Sequence, residues 1–199
     1  MNKQFKILSA IIVLLCFTLL IPTLASAAKL TNSAAFFKSG FSSYTVGSTY
    51  VFVSDSVSDY GYSTYVNDAK TAWSGISGAN VKYYSSGSAT NADIRVYAGY
   101  FGLDYAGKMQ AYRGDSPVSD ANLDAITTNW DYAKILINET YLIAYDWSES
   151  YKKKTVIHEF GHALGLRHQD DTTTSVMRQG RNGVYVPQTL DKDNISWKY

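Results

Sequence analysis

The sequence predicts an α+β domain: a twisted, mostly parallel five-stranded sheet with an antiparallel edge strand, one long central helix and a C-terminal helix. Three observations predict it. Short strand-like runs rich in apolar and β-branched residues recur at 50–53, 81–84, 94–97, 108–112 and 135–138. Two longer stretches, from Ser63 and from Ser148, read as helices. The first of them falls between the first two strands, where it is long enough for a parallel crossover.

The N-terminus comes first. Lys3 and Lys6 precede an apolar run at 7–21, Pro22 breaks it, and Ala25-Ser26-Ala27 follows. A charged head, an apolar core and small residues form a secretion signal, and the run is shorter than the roughly 20 residues that span a bilayer. Residues 1–27 are therefore expected to be a signal peptide cleaved after Ala27. The mature protein is then nearly neutral, secreted and extracellular, with no stable membrane anchor. Residues 28–48, rich in Ser, Thr, Ala and Gly without a clean period, are expected to form a loose leader, and 49–199 the domain.

Within that domain, Tyr65, Val66, Ala69, Ala72, Trp73 and Ile76 share one face of the helix that starts at Ser63, and Gly75 and Gly78 end it. A Ser/Gly-rich turn at 85–91 separates the second and third strands. Glycines at 99, 102 and 107 mark a loop before 108–112, a short edge strand. The helix over 148–166 carries Gly161 and Gly165, each costing about 1 kcal/mol relative to Ala, so something other than propensity keeps them. The closing helix runs over 188–197, with Thr189 or Asp191 near its start as caps and Ile195 and Trp197 as packing residues. No repeat or linker divides the chain.

Composition narrows the function. With 46% hydrophobic and 18% charged residues, the 199-residue chain is globular in type. Lys plus Arg total 18 and Asp plus Glu 17, which leaves no basic excess to attract nucleic acid. The single cysteine, Cys16, lies inside the signal, so disulfides within the chain and cysteine-ligated zinc are excluded. Any metal must be held by nitrogen and oxygen.

All three histidines fall in one segment, His158-Glu159-Phe160-Gly161-His162-Ala163-Leu164-Gly165-Leu166-Arg167-His168, which reads H-E-x-x-H-x-x-G-x-x-H. Residues four apart on a helix share a face, so His158 and His162 direct two imidazoles at one point, as zinc requires. Glu159, at the edge of that face, suits the general-base role. Gly165 lets the helix stop and turn sharply, which brings His168 back as a third ligand. Three nitrogens leave a tetrahedral ion one open position, the mark of a catalytic site.

This segment resembles the zinc signature of the metzincin metallopeptidases. Thr155-Val156-Ile157 before it and Gly165-Leu166-Arg167-His168 within it are most similar to the matrixin branch. Ser175-Val176-Met177 resembles the metzincin Met-turn, which implies that Met177 forms a hydrophobic floor beneath the metal without ligating it. The resemblance extends over the rest of the domain, implying a metzincin-like zinc-peptidase fold. It also implies that backbone groups near Met109, Gln110 and Ala111, on the edge strand, pair with an extended peptide. A loop over 178–187 would line the pocket for the residue after the cut.

The chain departs from that family in three respects. No cysteine-switch propeptide has a counterpart. No histidine remains for a second, structural zinc, and the acids between Asp93 and Asp131 form no readable loop for calcium, which stays possible through Asp and backbone oxygens. Gln179 stands where related families carry a tyrosine ligand. The expectation is a secreted, monomeric zinc endopeptidase acting on protein or peptide substrates. Two alternatives remain: a non-catalytic zinc-binding or adhesive module, suggested by 17 tyrosines and a 15% aromatic content, and a narrow-specificity hydrolase of cell-wall peptides.

Overall fold

The computed structural model describes residues 31–125 and 127–199; the expected signal peptide, Cys16 and residues 28–30 lie outside the described residues. Six strands form one sheet: β1 (Thr49–Val53), β2 (Tyr83–Ser85), β3 (Ile94–Gly99), β4 (Gly107–Arg113), β5 (Ser116–Pro117) and β6 (Tyr132–Asn138), in the order β2-β1-β3-β6-β4-β5. β1 runs parallel to β2 and β3, and β3 parallel to β6. β4 is antiparallel to β6, with Met109 opposite Ile135. The fold is thus a mixed α/β domain around a mostly parallel sheet.

Two sequence expectations are corrected here. The sheet has six strands, not five, because the chain folds straight back after β4 and pairs Tyr112 with Pro117 and Arg113 with Ser116. The run at 108–112 is therefore the last long strand rather than a bare edge. Two residues at a Gly114 turn carry no pattern by which a strand can be read.

The second correction concerns the leader. From residue 31 onward it is packed: Ala35, Phe36, Phe41 and Val46 are buried, and Ser43–Val46 forms a short helix, α1. The segment lies along the end of the histidine-bearing helix, with the Phe37 amide donating to the Gly165 carbonyl at 2.9 Å and the Arg167 amide to the Ala35 carbonyl at 2.7 Å. An irregular wrap buries its side chains without a period, so its apolar content is hidden among Ser and Thr.

The remaining α-helices are α2 (Asp55–Asp59), α3 (Ser63–Trp73), α4 (Asp120–Ala125), α5 (Glu139–Ala144), α6 (Glu149–Ala163) and α7 (Thr189–Lys198). α3 follows the expected face: Val66, Ala69 and Trp73 are buried, and the helix packs on α6. The Trp73 indole N–H donates to the Ile157 carbonyl at 2.9 Å, so a large ring is buried without an orphaned donor. On the sheet, Val51, Ile94, Val96, Ile135 and Ile137 alternate inward to join this core, while Tyr50, Arg95, Tyr97 and Lys134 turn outward. Among the described residues, no helix is long and apolar enough to cross a membrane.

α7 begins at Thr189, with Gln188 as its N-cap and Asp191 closing a reciprocal capping box. Asp191 is a cap, as the sequence indicates, although its carboxylate also reaches beyond the helix.

Candidate metal centre

α6 stops where the second glycine allows it. Gly165 has φ +84°, its amide donates to the His162 carbonyl at 2.8 Å, and the next amide, of Leu166, reaches back to Gly161 at 3.0 Å. This pair of bonds is the Schellman arrangement, which needs a left-handed residue at that point. Gly161 is kept for a different reason: a β-carbon there would lie 2.9 Å from the Trp73 ring and overlap the Met177 sulfur. Both glycines therefore serve close packing and the turn.

Past the turn, His168 comes back to face His158 and His162. The three rings can each offer a nitrogen, and all of these atoms lie within 4.8 Å of one another. Nε2 of His162 is 3.0 Å from Nε2 of His168. The Nδ1 of His158 donates to the Val176 carbonyl at 2.8 Å, and that of His162 to the Leu166 carbonyl at 2.7 Å. Each bond fixes the tautomer that leaves Nε2 as an acceptor, directed at the common point.

Electrostatics keep the rings in their ligand form. Burial, then the neighbouring rings His162 and His168, hold His158 well below the ordinary imidazole range. Burial and His168 bring His162 down to about 3. His168 is lowered by burial and by the charges of Lys154 and Arg167. Three neutral imidazoles converging at this spacing are a donor set that fits a divalent ion such as zinc, whose tetrahedral nitrogens stand about 3.3 Å apart at bonds of about 2.0–2.1 Å.

Glu159 lies in the same cleft, buried against β4. Burial pushes its carboxyl up to about 8, opposed by the Met109 amide, Lys108 and Lys154. Gly107 makes this approach possible, since a β-carbon there would lie 2.7 Å from Thr155 Cγ2 and 2.9 Å from Glu159 Cγ. Met177 is fully buried against Gly161, which lies between His158 and His162 in sequence. Its loop is fixed by Asp191, which accepts from Ser175 Oγ at 2.5 Å and from the Val176 amide at 3.1 Å.

The cleft, about 820 Å³, is lined by His158, Glu159, His162, His168 and Met109, but by neither Gln110 nor Ala111. Those two are already engaged. The Ala111 carbonyl accepts from the Val118 amide at 2.8 Å, and the Gln110 side chain donates to the Val118 carbonyl at 2.7 Å. Of this strand, Gly107, Lys108 and Met109 line the cleft, whereas the return after β4 covers Ala111.

Lys154 is a cleft residue that motif reading passes over. In the run Lys152-Lys153-Lys154 it looks like one more solvated charge. Yet it precedes His158 by four residues, and that phase places all three of 154, 158 and 162 on one face of α6.

No protein-family model matches the chain, and no curated protein matches its sequence. Solved structures do. One is the GM1-bound form of the ECX AB5 holotoxin, at 14% identity and a TM-score of 0.45, covering 84% of this chain and 83% of that one. Another is myroilysin, at 18% identity and a TM-score of 0.43, covering 77% of this chain and 93% of that one.

Proposed function

We propose that this chain is a secreted, metzincin-like zinc endopeptidase of matrixin type. The observation that carries the reading is the convergence of His158, His162 and His168 on one point, with the Glu159 carboxyl in the same cleft beside residues 107–109. Those three histidines would hold the ion. When bound, zinc would supply Lewis acidity to polarise a peptide carbonyl and activate water.

The chain's own residues do the rest. An extended substrate pairs with backbone groups at 107–109 other than the Met109 amide, which holds Glu159, and comes to lie across the histidines. Glu159 takes the proton of the attacking water and delivers it to the departing amine. Its carboxyl suits both transfers, since its proton affinity in the metal-free protein is set near neutrality, at about 8, and a cation nearby favours the ionised form. The Met109 amide orients the carboxylate. The Val176 and Leu166 carbonyls keep the His158 and His162 rings from tilting away, and Met177, buried against Gly161, would form the apolar floor.

The deciding experiment is metal analysis with casein digestion. Wild-type protein should hold about one zinc per chain and lose activity reversibly to a chelator. Glu159→Gln should keep the zinc and lose hydrolysis by several orders of magnitude; undiminished turnover would remove the mechanism. Secretion is tested separately by sequencing the protein from the culture medium, which should begin at Ala28.

A further inference from the structure

Lys154 is only 3% exposed, although it ends in an ammonium group. Its Nζ donates to the carbonyls of Arg178 at 2.8 Å and Gly180 at 2.5 Å. Both partners are neutral, and an ammonium has a third donor. Among the described residues, the ion pairs engage Lys152, Lys153 and Arg167, and none reaches Lys154. Arg178 stands beside it, and the Nε of that guanidinium is buried without a hydrogen-bond partner. Burying cations without a counter-charge is costly unless something completes them.

Both residues line the cleft, and Lys154 stands one helical turn before His158. The acids Asp120 and Asp124 lie toward the other end of α6, where Asp124 is 3.5 Å from Arg167. Glu159 is directed to the Met109 amide. Tyr141 and Trp147 add apolar wall without adding charge. Asp104, the remaining acid of the cleft, is exposed, and among the described residues no ion pair joins an acid to Lys154 or Arg178, so this end of the cleft carries two cations without a paired carboxylate.

We propose that it is a subsite for an acidic side chain, Asp or Glu, on the residue that follows the cleaved bond, with the carboxylate taken up by the third donor of Lys154 and by the Arg178 guanidinium. The inference rests on the peptidase reading above. An aliphatic side chain in this place would leave both cations dehydrated and unpaired. A carboxylate converts them into charge-assisted contacts, and its methylenes pack on Trp147.

Peptides that differ only in Glu, Gln or Leu after the cleaved bond test it. With zinc-loaded wild type, kcat/KM should favour Glu over Gln by about tenfold or more. The same peptides should be titrated into Glu159→Gln protein, using tryptophan fluorescence, and show the same order of affinity. Arg178→Gln and Lys154→Met should each bring the Glu/Gln ratio toward unity, and Lys154→Arg should keep it. The ratio is unmoved by a general loss of folding, which lowers all substrates alike. Equal rates for Glu and Gln with Leu preferred would overturn the subsite while leaving the peptidase intact. Discriminating binding without any cleavage would support the subsite and count against the peptidase.

Discussion

The floor of the cleft and its far wall are built in opposite ways. The floor, with His158, His162, Met177 and the end of α6, is buried and held by backbone carbonyls, a Schellman turn and the Asp191 carboxylate. The wall at 178–183 is largely exposed and hangs on Lys154 and the Asn182 side chain. Metal ligands must be fixed to within a fraction of an ångström, whereas a substrate pocket has to admit different side chains and let products go. The difference predicts that changes in the floor act on stability and metal together, and changes in the wall on substrate alone.

The largest effect should come from Asp191. Its carboxylate accepts from Ser175 Oγ, the Val176 amide and, at 2.8 Å, the Gln188 amide, while the Val176 carbonyl holds the His158 ring. Asp191→Ala orphans three donors in a buried place, at a cost of about 3 kcal/mol or more. Zinc affinity should fall about 10–100-fold with it, since the ring loses its orientation. Denaturant melts and a competitive zinc chelator read the two effects. Lost stability at unchanged affinity would separate the loop at 175–177 from the metal site.

A smaller effect, of opposite sign, belongs to Glu159. Its folded-state pKa is raised, from 4.5 to about 8, so its contribution is complete below pH 4.5 and is lost as pH rises through about 8. Metal-free Glu159→Gln should therefore gain on wild type as pH climbs through that window, by about 2 kcal/mol or more at its upper end. Parallel melts at pH 5 and pH 8 in chelator check this. A constant difference would mean that the carboxyl is solvated.

Gly161→Ala ranks next. Its methyl would meet Trp73 at 2.9 Å and displace Met177, an overpacking that costs about 1–3 kcal/mol. A melt should show the loss, and stability equal to wild type would mean that the floor yields more easily than its burial implies.

Much of this site is legible in the sequence because metal chemistry fixes residue type and spacing together. Three imidazoles, one carboxylate and a turn glycine leave little freedom, so His158, Glu159, His162, Gly165 and His168 announce themselves. The strands at 50–53, 94–97 and 135–138 and the α3 face are legible for a similar reason, since a buried face imposes a period. What escaped lacks either constraint. Phe36 and Phe41 are buried by an irregular wrap, and β5 is two residues long. The pairing of Ala111 with Val118 depends on where the chain turns, which no pattern in 108–118 encodes. Lys154 was readable by helical phase, but its neighbours Lys152 and Lys153 bind Glu149 and Asp68 at the surface and give the run a solvated character.

The smallest effect sharpens the comparison from the side of the wall. Asn182 donates to the Arg178 carbonyl at 3.1 Å and accepts from the Val184 amide at 3.0 Å, so one side chain bridges the loop from within. Both partners lie near solvent, where water replaces a lost bond, and Asn182→Ala should cost less than about 1 kcal/mol in a melt. Zinc content should not change, because no bond of Asn182 reaches the floor. KM for peptides should nevertheless rise several-fold, with kcat nearly constant, because a looser loop weakens binding of substrate and transition state alike. A fall in kcat at constant KM would show that loop and floor move as one body, and the division between a rigid metal site and an adjustable pocket would not hold.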